Sequence, residues 1–434
     1  MISGPFLTDL DSRAAIKGSR DPLGIQSIWT RFGRHVVGNL STVSNSVRDF
    51  TILLLGYYFA ARVAESAGPG TEPATFLKWE QLASYARGKV NEDWQFRGTE
   101  RVRQNLDEGK PVTLSAQPVH QILSSQKLYG LWGLYSVPAR ASGFLDGVPA
   151  RLTVPALEMV EQFYLPRLSK AGFHEGKRIV ELLAQERVRI DPDGAHEKLL
   201  AAIAGLLLQF TTLERKFYRS HLLLGGSQDS TEGRQRQLAE LLETELTEAQ
   251  FPWSPVSVTA LAKEAESRGE MWHPLAFRLR RIAVAETFLA PASALFGHLL
   301  GCDDVATAEI AKRIKRAWGD RVTTVLVREV TELKAELGNG DDNAGQRWVE
   351  IGQSIAEGDY KTLITILLQQ NKVVMQSRGG SAWIEEQNGK LRVRMSEERG
   401  ALPDRSKLRT LWRFPYFLDS LCSVAFALKE NGHE

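Results

Sequence analysis

Cysteine is nearly absent from this 434-residue chain: Cys302 and Cys422 are the only two, far apart and with no partner pattern. That excludes a disulfide framework and a cysteine-rich zinc site, and it fits a reducing compartment. The opening run, MISGPFLTDLDSRAAIKGSRD, lacks the apolar core of a secretory signal. Long hydrophobic runs are also missing. The longest, TILLLGYYFAA over 51–61, is closed by Arg62 and falls short of the roughly 20 residues that span a bilayer. A buried helix is expected there, in a soluble, cytoplasmic protein. Charge of one sign is lacking too, since 54 basic and 52 acidic residues leave a net charge of +2. This argues against coating nucleic acid by bulk charge, but net charge does not report clustering, so a local basic patch is still allowed. No internal repeat or low-complexity tract occurs.

What is present is an ordinary globular composition, 43% hydrophobic and 24% charged. It is enough for cores in about two to four domains. Apolar residues at helical spacing predict helices over 24–37, 47–64, 75–90, 176–185, 196–223, 240–250, 259–267, 274–288, 291–300, 306–318, 322–337 and 347–370. An aromatic-rich helix is expected at 411–428. Breaks fall at 68–74 (GPGTEPA), 225–233 (GGSQDSTEG) and 338–345 (GNGDDNAG), the last two being linker candidates. At 383–395 the period changes: WIEEQNGKLRVRM carries Asn388-Gly389 between alternating residues, the strongest short hairpin signal. The expected fold class is mainly α: a multi-domain helical protein with a winged-helix-like module and a small C-terminal β-hairpin. Four segments are expected: an N-terminal helical domain (1–112), the winged-helix-like module (113–175), a helical domain (176–338), and a C-terminal α+β domain (339–434).

The module is read from residues 114–168. Val119, Ile122, Leu123 and Gln126 mark a first helix, and Leu128, Leu131, Trp132, Leu134 and Tyr135 a second, richer apolar face. Gly130 and Gly133 are poor helix formers, so close packing is expected at both. A strand at 143–145, an Asp146-Gly147 turn, a return strand at 150–152 and a helix capped by Thr153 follow. Winged-helix regulators commonly show a Gly-Leu-Leu-like strand, a basic turn and a Leu-Thr at the closing helix, and Gly143–Leu145 with Leu152-Thr153 resemble that pattern. Arg140 and Arg151 would flank the wing and meet phosphates. The alternative is an αα-hairpin with a β-turn, packed into an all-α core. The apolar second helix (Trp132, Tyr135) favours packing or partner docking over reading the major groove.

Catalytic motifs fail on inspection. Gly33 to Thr42 has the glycine spacing of a phosphate loop but not its Lys and hydroxyl. His196-Glu197-Lys198 has the His-x-Lys of phospholipase D-type nucleases, yet Ile203 stands where an aspartate is needed. Asp320 with Glu332 and Lys334 has the gross form of a Mg²⁺-binding nuclease signature, but 322–337 reads as helix, where such a site wants a strand. The histidines show no metal-ligand spacing. No catalytic residue, cofactor or metal is expected. Basic stretches remain as candidate nucleic-acid contacts: Arg278, Arg280 and Arg281; Lys312, Arg313, Lys315 and Arg316; Arg378; and Lys390, Arg392 and Arg394 on one face of the hairpin strand. Against a shared phosphate-tracking groove stand solvated faces paired with Glu309, Glu385 and Glu386. Trp383 and Trp412 are placed either to stack bases or to close a small core.

Asp21-Pro22-Leu23-Gly24-Ile25, Ile28-Trp29, Leu40-Ser41-Thr42-Val43 and the apolar helix at 53–59, together with Phe96-Arg97-Gly98 and the segment at 130–135, resemble an uncharacterised class of bacterial proteins encoded in multi-gene antiphage defence islands. The resemblance spans mainly residues 20–145 and carries no catalytic residue. It implies work beside other gene products, such as an ATPase or nuclease. The expected function is a non-catalytic subunit of an antiphage defence complex that binds partner proteins and double-stranded DNA. The alternatives are a metal-dependent nuclease with a divergent site, or a winged-helix transcriptional regulator, which predicts a dimer and a palindromic operator.

Overall fold

The 3.6-residue apolar period is realised as helix over 64% of the structure. The structure, a computed structural model, describes residues 21–245, 250–395 and 400–429. Three two-stranded antiparallel sheets complete it among the described residues. The chain divides into two compact units, with boundaries after Val36, Phe251 and Tyr416. Among the described residues, one unit combines 21–36 with 252–416; the other combines 37–251 with the C-terminal helix. Neither linker candidate marks a boundary. At 225–233, Asp229 accepts bonds from Thr231 and Gly233, and Thr231 is fully buried. At 338–345, Gly345 packs onto the carbonyl of Lys334, where a Cβ would come within 2.3 Å, so the segment is a tight helix–turn–helix.

In the unit containing 37–251, Ser46 caps the Val47–Ala67 helix by accepting from Asp49 N–H. This helix is buried on nearly every side, as expected of a core helix apolar all round. It packs on the Glu72–Val90 and Lys177–Ala184 helices. The long helix expected at 196–223 is broken. Thr211 and Glu214 form a capping box that starts a new helix, Thr212–Tyr218, after Glu197–Leu208 ends. Glu214 is fully buried and also accepts from Arg48 Nη1 (2.6 Å) and Tyr164 Oη (3.1 Å). Tyr164, Tyr218 and Thr51 continue this network through their hydroxyls.

The module segment departs from expectation at its start. No helix covers 119–126. Val112–Leu114 is instead a strand paired with Val188–Ile190, and only a 3-10 turn (Pro118–His120) and a single helical turn (Gln126–Tyr129) follow. Pro118 and the extended strand draw the chain out. The side chains of Gln121 and Gln126 take up backbone N–H groups that a helix would have used. The Leu131–Ala141 helix, the two-residue strands Leu145–Asp146 and Arg151–Leu152, and the Val154–Met159 helix keep the order helix, hairpin, helix. Thr153 occupies the cap position but makes no capping bond, because its hydroxyl donates to Gly143 O. Tyr135 is buried, bonded to Asp49 and Val43 O, and Trp132 stacks on Tyr57 at 5.0 Å. The apolar face of this helix therefore packs inward.

Both glycines at its start are sites of close approach. A Cβ on Gly133 would lie 2.2 Å from Leu128 O, and one on Gly130 would lie 2.5 Å from Gln126 O. Helix propensity alone would make Gly133→Ala stabilising by up to about 1 kcal/mol. The contact reverses the sign, to a loss of about 1–3 kcal/mol. Urea denaturation reads that sign directly, and a gain in stability would show the approach to be looser than described.

In the unit containing 252–416, the helices expected on either side of Pro291 are one, His273–Leu299, with the proline inside. It is the one helix among the described residues long and apolar enough to cross a membrane, and most of its apolar window is buried in the fold. The helix expected at 347–370 is two, Asp342–Glu357 and Tyr360–Ser377. Gly358 (φ 73°) breaks it, and Asp359 caps the second by accepting from Thr362 N–H. The helix expected at 322–337 is reduced to Val327–Glu332 and Lys334–Gly338. The hairpin is as predicted: Ile384–Gln387 pairs with Lys390–Val393, and Asn388 and Gly389 both have positive φ. The C-terminal aromatic helix begins only at Leu418. The chain before it is irregular because the buried Glu286 accepts from Arg413 N–H, Phe414 N–H (3.3 Å) and Tyr416 Oη (2.7 Å).

Candidate nucleic-acid interface

The Thr307–Trp318 helix shows how this sequence exposes charge. Ile310, Ile314 and Trp318 recur at four-residue spacing and are fully buried. That turns Lys312, Arg313, Lys315 and Arg316 outward, and all four are exposed. Trp318 then recruits a distant segment, its indole Nε1 donating to Pro403 O at 3.0 Å. Leu408 is buried nearby in sequence, which leaves Arg405, Lys407 and Arg409 exposed around it. Arg405 lies against Gly319 (φ +84°), where a Cβ would meet its guanidinium at 2.8 Å, and it donates to Arg321 O at 3.4 Å. The end of one helix and the loop at 403–409 thus form a single basic surface.

Its acids are few. Arg313 and Arg316 share Glu309 (3.3 and 3.6 Å), Lys315 pairs with Asp320 (2.7 Å), and Lys407 with Asp404 (3.9 Å). These side chains are all solvent-exposed, where such pairs contribute little to stability. Lys315 holds the Asp320 carboxyl below its ordinary value by hydrogen bond and charge. At the rim, Gly358 packs on Asp320 O, placing Glu357, Asp359 and Lys361 nearby in sequence. Bases outnumber acids, and none of the four helix bases is buried in a structural pair.

The other predicted contacts are placed differently. Arg278 and Arg281 share Glu336 at 3.0 and 2.7 Å, and Arg281 also donates to Glu332 O. Arg280 pairs with Glu266. Arg278 and Arg281 thus tie helices together through a partly buried carboxylate, whereas the pair of Arg280 is exposed. Arg378 bonds Asp21, Lys390 pairs with Asp304 (3.2 Å), and Arg394 with Glu385 (2.8 Å). Arg392 is exposed, directly across the hairpin from Glu385. The hairpin joins the segment before the basic helix, through Asp304 N–H to Leu391 O and Thr307 N–H to Gly389 O. It therefore meets the N-terminal end of that helix, about 16 Å of helix rise from Trp318. Arg140 and Arg151 belong to the other compact unit; Arg140 donates to Gly147 O at 2.7 Å, and Arg151 is exposed. Trp383 is buried and Trp412 stacks on Trp253, so both pack internally.

The residues of the nuclease alternative are each engaged elsewhere. Asp320 meets Lys315, Glu332 meets Arg328 (3.4 Å), and Lys334 meets Asp342 (3.9 Å). The latter two stand on or beside short helices, with no strand beneath them. Among the described residues, no group of three or more His, Cys, Asp or Glu is placed to hold a metal ion. Sequence reading missed Arg321, Arg405, Lys407 and Arg409. The alternation of bases over 405–409 was a signal, but only the Trp318–Pro403 bond joins that run to the helix.

Two buried carboxyls are strongly perturbed. Burial pushes Glu80 up to about 7, against hydrogen bonds from Gln126 and Leu131 N–H. Burial likewise pushes Glu286 up to about 7, against bonds from Tyr416, Arg413 N–H and Phe414 N–H. A carboxyl raised in the folded state stays protonated where the unfolded chain is ionised, so its contribution is complete below about pH 4.5. Stability is then lost as pH rises and levels off above about 7, by on the order of 3 kcal/mol per group. Urea unfolding between pH 5 and pH 8 checks this. Glu80→Gln and Glu286→Gln should each flatten the profile, and a profile that neither variant alters would contradict the assignment.

Compared with protein-family models, curated proteins and solved structures, the chain matches none of them.

Proposed function

We propose that this chain is a non-catalytic subunit of a multi-protein assembly, of the antiphage defence kind that its N-terminal segments resemble, and that it holds double-stranded DNA by the phosphate backbone. The observation that carries this reading is the basic surface around Trp318. Its exposed bases are free to exchange weak surface pairs for phosphates, and each such exchange releases a condensed counterion. Lysines and arginines on an exposed helix face and loop, with no aromatic or amide side chain among the bases, suit positioning on DNA more than reading its sequence. Chemistry would come from partner proteins, an ATPase or nuclease being the expected kind.

Lysine footprinting locates the contact. Duplex DNA should protect Lys312, Lys315 and Lys407 from acetylation and leave Lys127 and Lys390 labelled as in the free protein. Uniform labelling with and without DNA would sink the proposal.

A further inference from the structure

We propose that the outer face of residues 126–154 docks an acidic amphipathic helix of a partner protein. This goes beyond the DNA-binding reading and rests on a different surface. Five large apolar side chains stand in solvent within this short stretch: Leu128 (59% exposed), Tyr129 (52%), Val137 (70%), Val148 (97%) and Val154 (69%). Close contacts tie together the segments that carry them. Gly133 abuts Leu128 O, which sets Leu128 and Tyr129 beside the start of the Leu131–Ala141 helix. Val137 lies one turn beyond Gly133 on the same exposed face, opposite the buried Tyr135. Arg140, a further turn along, donates to Gly147 O, which holds the hairpin tip and Val148 against the far end. Val154 follows directly on the strand that returns from that tip. Large apolar side chains exposed close together mark interaction sites.

Charge selects the occupant. The charged residues of 126–154 are Lys127, Arg140, Asp146 and Arg151. Asp146 accepts from Gly147 N–H and stands directly across the hairpin from Arg151, and the exposed Glu158 lies one helical turn beyond Val154, so the bases still outnumber the acids. An apolar strip rimmed by bases complements a helix with apolar residues at i, i+3, i+4 and i+7 and carboxylates beside them. A membrane surface is the less favoured occupant. Trp132, the side chain in this stretch best suited to a lipid interface, is withdrawn into its stack on Tyr57.

The test uses the full chain and a synthetic three-heptad peptide with Leu at those spacings and Glu elsewhere. A composition-matched scramble and a Lys-for-Glu version are the controls. Fluorescence anisotropy should show the acidic amphipathic peptide binding about tenfold or more tighter than either control. Val137→Asp with Val148→Asp should weaken it about tenfold with an unchanged melting temperature, since both side chains are exposed. As a second variant that leaves the apolar strip intact, Lys127→Glu with Arg151→Glu should shift preference toward the Lys peptide. Equal binding of the scramble would overturn the proposal, as would unchanged affinity in both variants. So would sedimentation with phosphatidylserine vesicles that the peptide does not compete away, because the face would then be a membrane contact.

Discussion

Replacing Lys312, Arg316, Lys407 and Arg409 together with glutamate is expected to lower affinity for duplex DNA by about a thousandfold at about 0.1 M salt. The figure follows from counterion release: each phosphate contact contributes about 0.9 of a decade at that concentration, so four contribute over three decades. All four side chains are exposed, and the pairs they make are weak surface pairs. Folding should therefore be unaffected, and a melting curve on the same sample confirms it. Arg278 and Arg281 serve as the internal contrast. The guanidiniums of Arg278 and Arg281 are committed to the partly buried Glu336, so substituting those two should lower stability more than DNA affinity. If the fourfold variant binds as the natural chain does, the surface around Trp318 is not the contact.

Glu214→Ala is expected to cost about 3–5 kcal/mol of stability, the cost of breaking a buried ion pair by removing one partner. Four groups converge on this carboxylate. Arg48 and Tyr164 reach one oxygen, and the Thr211 backbone N–H (3.0 Å) and hydroxyl (3.1 Å) reach the other. Arg167 adds a longer contact at 3.7 Å. Removing Glu214 leaves Arg48, itself buried and lying 3.6 Å over Phe210, as an uncompensated cation, and it opens the capping box that starts the Thr212–Tyr218 helix. Arg48→Met with Glu214→Leu removes both charges at once and should recover most of the loss. Chemical denaturation of the three proteins decides the matter. A loss below about 1 kcal/mol for Glu214→Ala would mean that water, not protein, solvates the pair.

Local signals were legible. The apolar period gave the helix at 306–318 but not which residues it buries, Asn388-Gly389 gave the hairpin turn, and the apolar run at 51–61 gave the buried helix. What the sequence hid depends on partners distant along the chain. Three-residue strands such as Val112–Leu114 are too short to show alternation, and their partner lies beyond several intervening helices. The arginines of 278–281 look like an open basic face until Glu336 arrives from another helix to neutralise two of them. The first helix of the module failed because Gln121 and Gln126 bond backbone amides locally, a competition that periodicity does not report. The basic loop at 405–409 gains meaning only from the indole of Trp318.

The proposed grip on backbone phosphates at that loop and helix is salt-dependent. Its most direct test is the slope of log affinity against log salt for a short duplex, between about 50 and about 200 mM monovalent salt. Phosphate contact predicts a slope of about −4 or steeper, made shallower by about four in the fourfold glutamate variant. A natural chain with no measurable binding at the low-salt end, or a slope the variant leaves unchanged, would contradict it.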